Sequence, residues 1–121
     1  MKFSGFSFAQ DTIGYIIDGK MDTVAINALR AQILEKFEEH DKINLYLEDS
    51  GIESFTLNAV FIATLFPIEH AKRFHKIALV TNRRWIHMLG NLDTLIAKVN
   101  IRNFTTEERM NAMAWIARRE E

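Results

Sequence analysis

The stretch INLYLEDSGIESFTLNAVFIATLFPIEHAKRFHKIALVTNRR, residues 43–84, decides the fold. Ile43-Asn44-Leu45-Tyr46-Leu47 is a largely apolar run, the pattern of a central strand covered on both faces. Glu48-Asp49, with Glu53 soon after, reads as an acidic turn. A helix opens near Thr56, whose hydroxyl can cap it, and the single proline of the chain, Pro67, falls inside its apolar pattern. Ile77-Ala78-Leu79-Val80 is a second central-strand run, and Arg83-Arg84-Trp85 gives a basic start to the next helix.

Outward from this stretch the same alternation continues. Residues 3–10 alternate weakly as a first strand, and residues 13–18 form a better one, with Asp11-Thr12 as the hairpin turn between them. Asp22 is a good N-cap for a helix running to about Glu39, with Ile26, Leu29, Ile33, Leu34 and Phe37 as its apolar stripe. The helix over 83–98 places Trp85, Met88, Leu89, Leu92 and Ile96 on one face, with Gly90 a mild weakness. Residues 99–104 are a last short strand. Thr105-Thr106-Glu107-Glu108 then supplies a hydroxyl cap and first-turn acids for a helix reaching the C-terminus. The order ββαβαβαβα predicts one α/β domain over residues 1–121, with a mixed, mostly parallel sheet of four to five strands flanked by about four helices.

With 121 residues, 48% apolar and 26% charged, the chain can bury a normal core as a soluble globular domain. It has no cysteine, which excludes disulfides, thiolate metal sites and cysteine nucleophiles. No signal-peptide core is visible, and the longest apolar run, residues 59–66, is less than half a membrane span. The expectation is a cytoplasmic protein with peripheral membrane contact as an extension. Residues 1–70 hold 5 basic and 11 acidic side chains, whereas residues 71–103 hold 7 basic ones and a single acid, Asp93. That basic block is a candidate face for an anionic partner, unless folding mixes the two blocks.

The helix from Thr56 is apolar all round, so it is either buried on both sides or presents apolar groups to a partner. Its core stripe is expected near Phe61 and Ile68, with Ile62 and Phe66 opposite. Pro67 should kink or restart the helix, making it a candidate hinge for a lid over residues 67–74. Phe61, Ile62, Phe66, Trp85, Met88 and Leu89 are the expected lining of an apolar cleft between the two helices. Arg83 and Arg84 are the expected contacts to an anionic head group. The histidines share no ligand spacing, so no metal or other cofactor is expected. The acidic pair at Glu48-Asp49 is read as a solvated turn, and no catalytic set stands out. A glycine-rich phosphate loop and a basic-aromatic nucleic-acid face are both missing.

Several segments, in this order and at this spacing, resemble the SpoIIAA-like family, related to STAS domains. They are Gly19-Lys20-Met21-Asp22, Ile43-Asn44-Leu45-Tyr46-Leu47 with Phe55-Thr56, Ile77-Ala78-Leu79-Val80-Thr81 with Arg84-Trp85, and Asn103-Phe104 with Glu107-Glu108 and Ala114-Trp115-Ile116. The resemblance covers nearly the whole chain and implies a small non-enzymatic domain, with hydrophobic-ligand or membrane association as a recurring proposal for related domains. Anti-sigma factor antagonists of this kind carry an Asp-Ser-Ser/Thr-Gly turn at the start of the helix after the central strand. Here Asp49-Ser50-Gly51 lies several residues too early, and the helix start reads Ser54-Phe55-Thr56-Leu57-Asn58-Ala59. The expected function is therefore binding of a hydrophobic or amphipathic ligand, or reversible docking on an anionic membrane. The alternative is a regulatory protein–protein module without the phosphorylation motif. Homodimerisation through Ile62 and Phe66 is compatible with both.

Overall fold

In the computed structural model, which describes residues 2–9 and 11–118, five strands form one mixed sheet in the order β1-β2-β3-β4-β5. β1 (Lys2–Ala9) pairs antiparallel with β2 (Thr12–Met21), and the turn between them carries Asp11 at φ 65. β2, β3 (Ile43–Phe55), β4 (Phe74–Val80) and β5 (Ile101–Phe104) then run parallel. The helices are α1 (Thr23–Glu39), α2 (Leu57–Glu69), α3 (Arg84–Ala97) and α4 (Arg109–Ala117). The expected order ββαβαβαβα is the observed one. Gln10 and residues 119–121, which the sequence reading gave to the first strand and the last helix, lie outside the described residues.

Local chemistry sets the element ends. Asp22 accepts the Ala25 N–H at 2.9 Å and Thr56 accepts the Ala59 N–H at 3.2 Å, so both expected caps form. Thr105 and Glu108 close a capping box before α4. The helix α2 runs through Pro67 to Glu69 instead of restarting there: the missing Pro67 N–H leaves out one bond, to the Ala63 carbonyl, and the His70 N–H still closes the last turn on the Phe66 carbonyl at 3.1 Å. The segment that follows is pinned: Arg73 donates to the carbonyls of Phe37, His40 and Asp41 at the end of α1. β4 opens at Phe74, three residues before the apolar run that marked it in the sequence.

Alternation along β3 divides the core. Ile43 and Leu45, with Ile77 on β4 and Ile13, Tyr15 and Ile17 on β2, face α1, α2 and α3. Tyr46, Ala78 and Val80 face Trp115, Ile116 and Ala112 of α4 on the other side. Because neighbouring strands follow one another in sequence, the strand order never reverses. No crevice opens at a topological switch point, the usual ligand site of doubly wound sheets.

Two readings of the sequence are corrected here. The acidic turn after Leu47 is strand: β3 continues to Phe55, and Glu48 is only 2% exposed. Its carboxylate accepts the Tyr46 hydroxyl at 2.6 Å and pairs with Arg109 at 2.9 Å, so a partner distant in sequence neutralises it. The basic block does not survive folding as one face. Lys76 is buried and donates to the Trp115 and Arg118 carbonyls, where a cation satisfies the end of α4. Arg73 and Arg83 are likewise spent on internal partners.

Candidate functional site

The extra length of β3 builds the site. β3 pairs with β4 only as far as Glu48–Val80, while its remaining residues follow β2 to Met21–Phe55. The sheet therefore splits beyond Glu48, and Asp49 sits at the fork. It accepts from the Thr81 hydroxyl at 2.9 Å, from Arg83 at 2.7 Å, and from the N–H groups of Ile52 and Gly51 at 2.9 and 3.1 Å. Burial opposes ionisation of Asp49, but these donors outweigh it and hold its carboxyl below the ordinary value of 3.8.

Below this knot, a cleft of about 160 Å³ lies between the sheet and the three crossover helices. Its floor is Ile17, Leu45, Ile77, Leu79 and Ile101, and its roof includes Leu29, Ala63, Phe66 and Leu89. Phe55 and Trp85 meet edge to face at 4.8 Å in the same lining, with the Arg83 guanidinium 5.1 Å from the Phe55 ring. Asp93 of α3 also lines the cleft. It is 3% exposed, one of its carboxylate oxygens has no hydrogen-bond partner, and burial pushes its pKa up to about 6.

Of the residues expected to line a cleft, Phe66, Trp85 and Leu89 do so, and Pro67 joins them. Ile62 packs on the core from α2. Phe61 and Met88 lie outside that lining and face solvent at 64% and 70% exposure. The inward face of α2 is Ala59, Ile62, Ala63 and Phe66, opposite to the one read from the sequence. A helix apolar on every side leaves periodicity without a direction. On the buried side Ala59 is fully covered and Ala63 packs on the core. The same happens on α3, whose inner side is Gly90 and Asp93 with Ile86, Leu89 and Ala97. A β-carbon at Gly90 would stand 2.8 Å from Leu79 Cδ1, so this glycine is a point of close approach and not a mere weakness. Asp93 was missed because a carboxylate inside an apolar stripe reads as solvent-facing. The stripe at 86, 89, 90, 93 and 97 was the available signal.

Outside the cleft, α2 and α3 turn Leu57, Phe61, Met88, Leu95 and Ile96 to solvent. Arg84 is exposed on this side of the chain, but Arg83 is tied to Asp49 and to the Ile52 carbonyl. Among the described residues no helix is long and apolar enough to cross a membrane, and no group of three metal-ligating side chains assembles.

A sequential parallel sheet extended by a hairpin, with three crossover helices on one face and α4 on the other, defines a small α/β domain of the STAS-related kind. The profile of the SpoIIAA-like family matches residues 12–117, and the chain belongs to that family. Solved structures agree on the fold. An uncharacterized protein from Shewanella loihica PV-4 with a SpoIIAA-like fold matches with a TM-score of 0.73 at 12% identity, over 95% of this chain and 92% of that one. The anti-sigma factor antagonist SpoIIAA in its unphosphorylated form matches with 0.61 at 12% identity, over 93% and 98%. The Bacillus cell fate determinant SpoIIAA in the phosphorylated form matches with 0.57 at 13%, over 93% and 99%. No curated protein matches the chain.

Proposed function

We propose that this chain is a non-enzymatic binding domain that takes a compact hydrophobic or amphipathic molecule into the cleft between the sheet and helices α2 and α3. The observation that carries the reading is the cleft: about 160 Å³, walled by aliphatic and aromatic side chains, with few polar groups among them. Apolar cavities of roughly 150 Å³ stay dry and admit a benzene-sized guest. Asp49 in the lining is paired with Arg83 and bonded to the Thr81 hydroxyl, so these charges position the wall.

The test is thermal unfolding with and without saturating toluene. Binding to the native state raises Tm. The rise is expected in the native sequence and is lost in Ala63→Phe, which fills the cleft. Equal Tm shifts in both proteins, or none in either, reject the reading.

The second reading is a regulatory protein–protein module, and a separate observation favours it. The outer sides of α2 and α3 expose Leu57, Phe61, Met88 and Leu95, a face suited to a partner, and the fold is that of an anti-sigma factor antagonist. Docking of this face on an anionic membrane would rest on Arg84, because Arg83 is already paired. Flotation with anionic and neutral liposomes separates the two. Salt-sensitive binding to anionic vesicles that Arg84→Glu abolishes assigns the face to a membrane, and absence of binding leaves it to protein.

A further inference from the structure

The cleft contains a contradiction that its apolar lining does not explain. Asp93 brings a carboxylate into it, 3% exposed and with Oδ1 unpartnered among the described residues. An unpaired buried carboxylate oxygen is unfavourable in an apolar site, because it has lost its hydration without a replacement donor. The other oxygen-bearing side chains of the lining are committed. Asp49 and Thr81 bond each other and Arg83, Thr64 donates to the Val60 carbonyl, and Glu48 holds Tyr46 and Arg109.

We infer that the occupant of the cleft is a compact apolar molecule, about the size of a single ring, carrying one hydrogen-bond donor, a hydroxyl or an ammonium group, and that Asp93 is the acceptor that orients it. The inference rests on the binding reading above and adds the chemical class of the guest. Size follows from the volume, which accommodates one ring and not a long chain. Polarity follows from Asp93, since a donor head restores the missing hydrogen bond while an anionic head would meet like charge.

The surroundings of Asp93 leave this role open. α2 packs against α1 on one side and α3 on the other, and its one charged residue, Glu69, is exposed. Arg30, the one basic residue in the lining, belongs to α1, donates to the Asn27 side-chain oxygen at 3.1 Å and stacks on Phe66 at 5.4 Å, with its Nε buried and unpartnered among the described residues. On β5 the charge is Arg102, exposed and lying over Phe104 and Trp115 of the α4 core. No cation is paired with Asp93 among the described residues, so its partner is to be supplied from outside. Burial raises its pKa to about 6, leaving it mostly ionised at pH 7.5.

The experiment titrates the full chain, labelled with nitrogen-15, with toluene, benzyl alcohol, benzylammonium and benzoate at pH 7.5, reading Kd from amide shifts around the cleft. Benzyl alcohol and benzylammonium should bind roughly tenfold more tightly than toluene, as expected for a hydrogen bond to a charged group. Benzoate should not compete. In Asp93→Leu the preference should vanish while toluene still binds. In Asp93→Asn the amide oxygen still accepts, so the alcohol should keep its advantage and the ammonium should lose it. The Asn variant decides the matter if the Leu variant does not fold. Equal affinity for toluene and the donor-bearing probes, or a preference that survives in the variants against this pattern, overturns the role of Asp93 and leaves the cleft intact. Failure of every probe to shift cleft amides overturns both the inference and the binding reading.

Discussion

Asp93 makes the free protein pH-sensitive in a direction opposite to most carboxylates. Its folded pKa of about 6 stands above the ordinary 3.8, so the folded state binds more protons than the unfolded one between these values. Stability from this group is intact below about pH 4, falls as pH rises, and the loss is complete above about pH 6. The ceiling on that loss is ~3 kcal/mol. Asp93→Leu removes it, so the Tm of the variant should exceed that of the native sequence by a margin that grows between pH 4 and pH 7 and then levels off. A margin independent of pH in calorimetric scans would show that Asp93 is not held in this environment. Asp49 has the opposite sign. Its donors hold its pKa below 3.8, so its contribution is present above that value and fades as pH falls through its folded pKa.

At the scale of elements, α2 and α3 carry what the sequence could announce and what it could not. The helices themselves were legible, because the Thr56 cap and the apolar runs need only local chemistry. Their facing was not. Leu57, Phe61 and Leu65 are as apolar as Ile62 and Phe66, and nothing local says which set meets the sheet. The structure buries Phe66 against Phe74 and His70 and leaves Phe61 outside. Phe66→Ala should therefore cost about 3–5 kcal/mol in urea unfolding. Phe61→Ala should stay within roughly 0.5 kcal/mol of the native sequence, the range of surface substitutions. Comparable losses at the two positions would contradict the observed facing. Of the expected cleft residues, Phe66, Trp85 and Leu89 line the cleft, but only Leu89 lies where the inward stripe overlaps the face read from the sequence.

At the scale of the whole molecule, two cores share one sheet, and Lys76 ties the smaller one to it. Its ammonium donates to the Trp115 and Arg118 carbonyls and lies 5.3 Å from the Trp115 ring. Lys76→Met should cost roughly 2 kcal/mol, near the value of a hydrogen bond from a charged donor. The loss should be uneven: α4 amides should exchange hydrogen sooner, while α1 and β2 keep their protection. Uniform loss of protection would mean that α4 and the cleft side unfold as one unit. The sequence by itself determined the element order, the mixed sheet and the caps at Asp22, Thr56 and Thr105, since these follow from periodicities and local hydrogen bonds, and its segments carried the resemblance to the SpoIIAA-like family. Tertiary structure alone decided how far β3 runs, which sides of α2 and α3 turn inward, and that Arg73, Lys76 and Arg83 of the basic block are spent on carbonyls and on Asp49. These outcomes depend on partners on other elements, as Arg83 does on Asp49 with a separation of 34, and no local pattern encodes which group will arrive.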